Sequence, residues 1–101
     1  METITINGLE WSIEEADYGY CKEAPDALGS TWKNTLHIVI VKGLPLSNLK
    51  KILLHELTHA TAYSYGFDQV AITDEILCDF VSSFSEQILK IANDYLEKRK
   101  P

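Results

Sequence analysis

The feature that most constrains the fold of this chain of 101 residues is a stretch of helical periodicity between residues 48 and 65. Five apolar or small residues recur there every three or four positions, the spacing of one buried helix face: Leu49, Leu53, Leu57, Ala60 and Ser64. Ser47 is the expected N-cap, and Gly66 is placed to end the helix in the left-handed conformation. The pattern predicts a helix that packs this face on a sheet.

The other face of the predicted helix carries His55, Glu56, His59 and Tyr63. Residues four positions apart lie one above the other on a helix, so His55 and His59 can bind one zinc ion through neutral imidazoles. Glu56 lies about 100° round the helix from His55, where it can act as general base on a zinc-activated water. The alternative is an amphipathic helix whose His and Glu side chains only face solvent.

A catalytic zinc needs a third protein ligand, and the predicted helix supplies only two. Glu75, which lies 16 residues after His59 and near the start of the next helix, is the preferred candidate. A short connection makes the two helices neighbours, so Glu75 can fold back over the histidine face. Asp74 and Asp68 are the alternative ligands.

Three further polar residues have possible roles around this metal. Asp79 lies one turn after Glu75, where it can accept a hydrogen bond from the free ring nitrogen of a zinc-bound histidine, preferably His55. Tyr63 can donate a hydrogen bond to a transition-state oxyanion, although packing in the core is the simpler interpretation. His37 lies within a predicted strand and is expected to have no role in the site.

The remaining predicted elements are a hairpin, a strand and a long helix. Asn7-Gly8 is typical of a two-residue turn and pairs Ile6 with Leu9 and Ile4 with Trp11. Residues 36–41 form a β-branched strand, with 30–32 as its possible partner, whereas 16–30 are expected to form a loop. Tyr18, Tyr20 and Cys21 of this loop are expected to pack over an edge of the sheet. The second helix runs from 74 to 98 behind an N-cap at 73, with an apolar stripe: Leu77, Phe80, Phe84, Ile88, Ile91 and Tyr95.

Composition sets limits on the class of protein. An apolar fraction of 46% and a charged fraction of 24% are typical of one globular domain, here residues 1–101. The net charge of −6 disfavours nucleic acid as the main partner. The chain has no run long enough to predict a membrane span and no signal-peptide pattern, so a cytoplasmic location is expected, with Cys21 and Cys78 as reduced thiols.

The motif His55-Glu56-Leu57-Thr58-His59, followed by Glu75-Ile-Leu-Cys-Asp79, resembles the zincin-like metallopeptidases of the gluzincin type. It is most similar to small phage and prophage proteins related to the ImmA/IrrE peptidases. The resemblance covers about residues 29 to 86. It implies one zinc ion per chain, a peptidase-type site and an edge strand, expected at 36–41, along which an extended peptide can lie.

These observations predict an α+β domain in which a small antiparallel sheet, built from the hairpin and strand 36–41, packs on the zinc helix and a long C-terminal helix. The predicted function is zinc-dependent hydrolysis of a peptide bond in a peptide or protein substrate, with Glu56 as general base. The alternative is a zincin-like binding or regulatory protein that keeps zinc for structure and holds a partner in its groove. A third alternative is a structural protein without metal.

Overall fold

A computed structural model describes residues 1–17 and 28–99. Within these residues the framework is a four-stranded sheet with two helices packed on one face. The strands are β1 (Glu2–Ile6), β2 (Leu9–Ala16), β3 (Gly29–Trp32) and β4 (His37–Val41). The helices are α1 (Leu46–Ser64) and α2 (Asp74–Lys98), and a single 3-10 turn, Phe67–Gln69, lies between them. The predicted α+β class is therefore confirmed.

The hairpin and the two helices form where the sequence predicts them. Asn7 and Gly8 have positive φ angles of 48° and 78°, and β1 pairs with β2 so that Ile6 faces Leu9 and Ile4 faces Trp11. Alternation then brings the apolar residues of both strands to one face of the sheet. The turn chemistry and the hydrophobic pattern agree on this register, which is the reason that the local prediction holds.

The arrangement of the strands differs from the predicted antiparallel sheet. The strand order is β1-β2-β4-β3, and β2 runs parallel to β4, so the sheet is mixed. The strand predicted at 36–41 is also an interior strand, and β3 forms the sheet edge instead. Ile38, Val39, Ile40 and Val41 are all buried. A strand that is covered on both faces has apolar residues at successive positions. The unbroken apolar run from Ile38 to Val41 is therefore explained by the interior position of β4 in the sheet.

The main core lies between the sheet and the helices. The predicted inner face of α1 is buried, because Leu49, Leu53, Leu57 and Ala60 pack on the sheet. The sheet contributes Ile6, Trp11, Ile13, Ile38 and Ile40, and the second half of α2 contributes Ile88, Ala92, Tyr95 and Leu96. This packing fixes which side of α1 remains free, and His55 and His59 are exposed there.

The ends of the helices show one wrong prediction and two that are confirmed. The N-cap of α1 is Pro45, which makes no side-chain cap, so Ser47 lies inside the helix and does not cap it. Proline suits this place because its fixed φ is compatible with a helix start. Gly66 follows α1 with a φ of 82°, as expected of a left-handed stop. Thr73 caps α2 by accepting a hydrogen bond from the Ile76 amide at 3.2 Å.

Other predictions on α2 and the loop have mixed outcomes. Leu77 was expected in the buried stripe of α2 but is 51% exposed, because the first turns of this helix extend beyond the core. Cys78 is a free and exposed thiol. Tyr18, Tyr20 and Cys21, and most of the loop expected at 16–30, lie outside the described residues. Neither helix in the described part of the chain is long and apolar enough to cross a membrane.

A cluster of charged and aromatic groups fastens the C-terminal end of α2 to β2. The guanidinium of Arg99 donates to both carboxylate oxygens of Glu15 at 2.8 Å, and the Tyr95 hydroxyl donates to Glu15 Oε2 at 2.6 Å. Burial alone would raise the pKa of Glu15, but the hydrogen bonds from Arg99 and Tyr95 outweigh burial, so this pKa is lowered. Burial and the hydrogen bond to Glu15 raise the pKa of Tyr95.

We expect Glu15→Gln to lower the free energy of unfolding at neutral pH by about 1 kcal/mol, because a charge-assisted bidentate contact becomes a neutral one. Since folding lowers the pKa of Glu15, this stabilisation is complete above the unfolded pKa and is lost as pH falls through the folded pKa. Urea denaturation at neutral and acidic pH measures the difference. Asp94→Asn, which breaks the exposed pair of Asp94 with Lys90, is the control and should cost less than about 0.5 kcal/mol. Equal losses in both variants would contradict the assigned role of Glu15.

Candidate functional site

The two histidines of the motif lie side by side on the free face of α1. Their ring centroids are 4.9 Å apart with an interplanar angle of 73°, and both side chains are exposed. This arrangement follows directly from their spacing of four residues on a regular helix. Imidazole nitrogens are among the donors that zinc prefers, and these two rings are both accessible and close together.

Glu56 is unlike the histidines because it points towards the sheet edge and is only 6% exposed. It is the only buried residue with a carboxylate or ammonium group in the described ranges 1–17 and 28–99. The hydroxyl of Thr31, on β3, lies 2.9 Å from Glu56 Oε1 and 3.1 Å from the Glu56 carbonyl oxygen. The Thr31 hydroxyl has one proton, so it donates to one of these two oxygens at a time. A buried carboxylate needs such a donor, so the edge strand holds the carboxylate in place.

Gly29 allows β3 to approach α1 closely at this point. A Cβ atom at position 29 would lie 2.7 Å from Ile52 Cγ2 and 3.1 Å from Glu56 Oε2. Both distances are shorter than an ordinary van der Waals contact. Any larger residue would therefore push the Glu56 side chain away from its present position. The absence of a side chain at position 29 thus shapes the surroundings of this carboxylate.

A groove of about 740 Å³ opens between the start of β3 and the first half of α1. Leu28 and Gly29 form one wall, and the helix forms the other with Ser47, Lys50, Lys51, Ile52, Leu54, His55, Glu56 and Thr58. The volume lies in the range typical of ligand-binding clefts. The groove therefore brings one histidine and the buried carboxylate of the motif to a single accessible cleft.

The carboxylates predicted on α2 are not gathered round the histidines in this structure. Glu75 and Asp79 are both exposed. No group of three or more His, Cys, Asp or Glu side chains suited to a metal occurs within residues 1–17 and 28–99. Glu75 as third ligand and Asp79 as hydrogen-bond acceptor for His55 stay predictions.

Two other residues considered for the site have structural partners. Asp68, an alternative ligand, lies 3.5 Å from the ammonium of Lys33 and accepts a hydrogen bond from Gln69. Tyr63 packs edge-on against Trp11, with ring centroids 6.0 Å apart, and the Lys33 ammonium lies 6.0 Å from its ring. Packing against the core thus accounts for the position of the Tyr63 ring, and hydrogen bonding by its hydroxyl to an oxyanion stays a prediction.

His37 lies on the face of the sheet opposite α1, since it shares the parity of Val39 and not that of Ile38. Its Nδ1 is 2.6 Å from Ser12 Oγ, and its Nε2 is 3.5 Å from a carboxylate oxygen of Glu14. These contacts explain why a histidine occurs within this strand. Because His37 lies on the opposite face of the sheet, it is separated from the motif on α1.

Sequence reasoning did not identify Thr31, Gly29, Lys50 or Lys51 as neighbours of the motif. Thr31 and Gly29 contact Glu56 only because β3 lies beside α1 at the sheet edge. The sequence of a four-residue strand does not indicate its position in a sheet, so this contact could not be predicted. Of the two lysines, only Lys51 could be placed from the helical repeat, since it lies four residues before His55 and so on the same face. Lys50 lies about 140° round the helix from His55, and only the structure shows that it borders the groove.

We expect Thr31→Val to lower the free energy of unfolding by about 1–2 kcal/mol, because it leaves the buried Glu56 carboxylate without its hydroxyl donor. Chemical denaturation monitored by tryptophan fluorescence measures the loss. Thr5→Val is the matched control, since Thr5 is an exposed threonine on β1 and its substitution should change stability by less than about 0.5 kcal/mol. Similar values for the two variants would show that Thr31 does not hold Glu56.

Comparisons of the chain with protein-family models, with curated proteins and with solved structures find no match. The assignment of a function therefore depends on the residues and geometry of the site.

Proposed function

We propose that the protein is a zincin-like metallopeptidase that binds one zinc ion through His55 and His59 and hydrolyses a peptide bond. The observation that carries this proposal is the position of Glu56. Its buried carboxylate, hydrogen-bonded by Thr31, lies in the same groove as His55. A solvated amphipathic helix gives no reason to bury the one acidic residue between two exposed histidines, whereas a general base needs a fixed carboxylate.

The donor set of the chain fits zinc in part. His55 and His59 supply two neutral nitrogen donors, and an acidic residue is the usual complement to such a pair. Glu75, in the first turn of α2, is the proposed third ligand. Because Glu75 is exposed and is not clustered with the histidines, this ligation requires a different arrangement of its side chain or of the first turns of α2. Leu77 and Val81 in these turns are each 51% exposed, so core packing constrains this part of α2 less than its second half.

A zinc ion held by His55, His59 and Glu75 would supply Lewis-acid chemistry, by polarising the scissile carbonyl and making the attacking water more acidic. Glu56 accepts the proton of that water and transfers it to the leaving amine, the two duties of a general acid–base residue. Thr31 orients the carboxylate by hydrogen bonding to Oε1 and leaves Oε2 on the side of Gly29.

The second candidate is a zincin-like protein that holds a partner in the groove without cleaving it. The exposure of Glu75 favours this candidate, because two histidines alone give an incomplete site. The two candidates are distinguished by peptide cleavage in the presence of zinc, compared between the unsubstituted chain and Glu56→Gln. The metallopeptidase proposal requires that the unsubstituted chain cleaves the peptide and that Glu56→Gln does not. Absence of cleavage by either protein, with zinc bound, favours the second candidate.

A further inference from the structure

The basic side chains of the described residues fall into two groups according to their partners. Those outside the groove are paired with carboxylates at 2.8–3.5 Å: Lys33 with Asp68, Lys42 with Asp17, Lys90 with Asp94, Lys98 with Glu2 and Arg99 with Glu15. Lys50 and Lys51 form no such pair with any residue in the ranges 1–17 and 28–99, and both line the groove. The unpaired cations of the described chain are therefore concentrated beside the candidate site.

The location of these two lysines does not favour the stability of the helix. They are adjacent and lie in the second turn of α1, close to the end where the helix dipole is positive and where acidic residues are preferred. The first turn of α1 contains no acidic residue to compensate. The chain has a net charge of −6, yet no carboxylate within residues 1–17 and 28–99 forms an ion pair with either lysine. This local positive charge is available to a ligand.

The edge of the sheet borders the same groove. β3 is paired on one side with β4, and no strand formed by residues 1–17 or 28–99 lies on its other side. The outward-facing backbone groups of an edge strand can pair with an extended peptide. Leu28 and Gly29, at the beginning of this strand, form the wall opposite Lys50 and Lys51.

We infer that the groove selects extended peptides with acidic side chains, whose carboxylates bind Lys50 and Lys51 while the peptide backbone lies along β3. The peptide nature of the ligand rests on the proposed function. The acidic preference rests on the unpaired lysines, because the acidic remainder of the protein would repel such a ligand without a local positive charge. The two lysines are specificity-determining residues and take no part in the cleavage step.

The test is the binding of two fluorescent peptides to the full chain carrying Glu56→Gln, in buffer containing zinc. Both peptides have the same short, β-prone centre; one is flanked on each side by two glutamates and the other by two glutamines. At low ionic strength we expect the glutamate peptide to bind about tenfold more tightly, as two partly exposed charge pairs permit. The difference should shrink as salt is added.

Matched variants show whether the lysines are the cause. Lys50→Ala with Lys51→Ala should bring the affinities for the two peptides to the same value, whereas Lys50→Arg with Lys51→Arg should retain the preference. Lys42→Ala with Lys90→Ala removes the same net charge elsewhere and should also retain it. Equal binding of both peptides, or a preference that survives the alanine pair, would overturn the inference. Tighter binding of a single-stranded oligonucleotide than of the glutamate peptide would overturn it too.

The failure of this inference can be distinguished from failure of the proposed function, because hydrolysis is measured separately on the unsubstituted chain. Cleavage without an acidic preference in the binding experiment overturns the inference alone. An acidic preference that depends on Lys50 and Lys51, without cleavage by the unsubstituted chain, supports the inference and overturns the metallopeptidase proposal.

Discussion

Glu56→Gln is expected to lower the rate of peptide cleavage by about 10²–10⁴-fold, the usual contribution of general acid–base catalysis. The amide is nearly isosteric with the carboxylate, and its oxygen can still accept the hydrogen bond from Thr31. The substitution therefore removes the proton acceptor but retains the shape of the groove. Zinc binding should persist, since Glu56 is not a proposed ligand. Cleavage of a quenched fluorescent peptide pool in the presence of zinc measures the effect.

The control for this prediction is Glu86→Gln, which neutralises an exposed glutamate on α2. It should leave both cleavage and stability unchanged. Retained zinc and an unchanged melting temperature in Glu56→Gln would assign its loss of activity to the missing base. If Glu56→Gln cleaves as fast as the unsubstituted chain, Glu56 is not the base and the proposed mechanism is wrong.

Substitution of either motif histidine by alanine is expected to weaken zinc binding by more than about 100-fold. This estimate follows because even outer hydrogen-bond partners of zinc ligands contribute 10–100-fold, and a ligand contributes more. Titration with zinc against a chromophoric chelator measures the affinity. Because protons and zinc compete for the same ring nitrogens, affinity should also fall as the solution is acidified.

His37 provides the matched control, since the chain contains three histidines and this one lies on the opposite face of the sheet. His37→Ala should bind zinc as tightly as the unsubstituted chain. Glu75→Ala and Asp74→Ala then identify the third ligand, and we expect the large loss only in Glu75→Ala. Zinc binding that is lost in His37→Ala but retained in His55→Ala would contradict the assigned site.

The parts of the fold that sequence reasoning predicts correctly are those with local causes. The hairpin requires only the positive φ angles at Asn7-Gly8 and the alternation on either side of them. The bounds of α2 follow from its Thr73 cap and its apolar stripe. The buried face of α1 follows from a periodicity of 3.6 residues. Each of these signals lies within a few residues of the structure it specifies.

The sheet order could not be predicted in the same way, because its cause is not local. A β-branched strand has the same alternation whether its neighbour is parallel or antiparallel, so β4 could not be oriented by its own residues. The burial of all four residues from Ile38 to Val41 depends on elements that are distant in sequence. The continuous apolar run is nevertheless a signal for an interior strand, so the prediction of an edge strand at 36–41 is wrong.

For the candidate site, the spacing of the motif correctly predicts that His55 and His59 lie together, since a helix alone determines it. It does not predict the burial of Glu56, because that depends on how closely β3 approaches at Gly29. The place of Glu75 depends on the angle between two helices and on the conformation of the connection. The hydrophobic periodicity of a single helix determines neither this angle nor this conformation.

The central claim is that His55 and His59 bind zinc beside Glu56. The most direct test is the location of the metal by anomalous diffraction at the zinc edge, using crystals of the full chain grown with zinc. The account predicts a single strong peak bonded to ring nitrogens of His55 and His59, with Glu75 brought to the metal. A chain that crystallises without a peak between these rings, or with zinc bound only elsewhere, would contradict it.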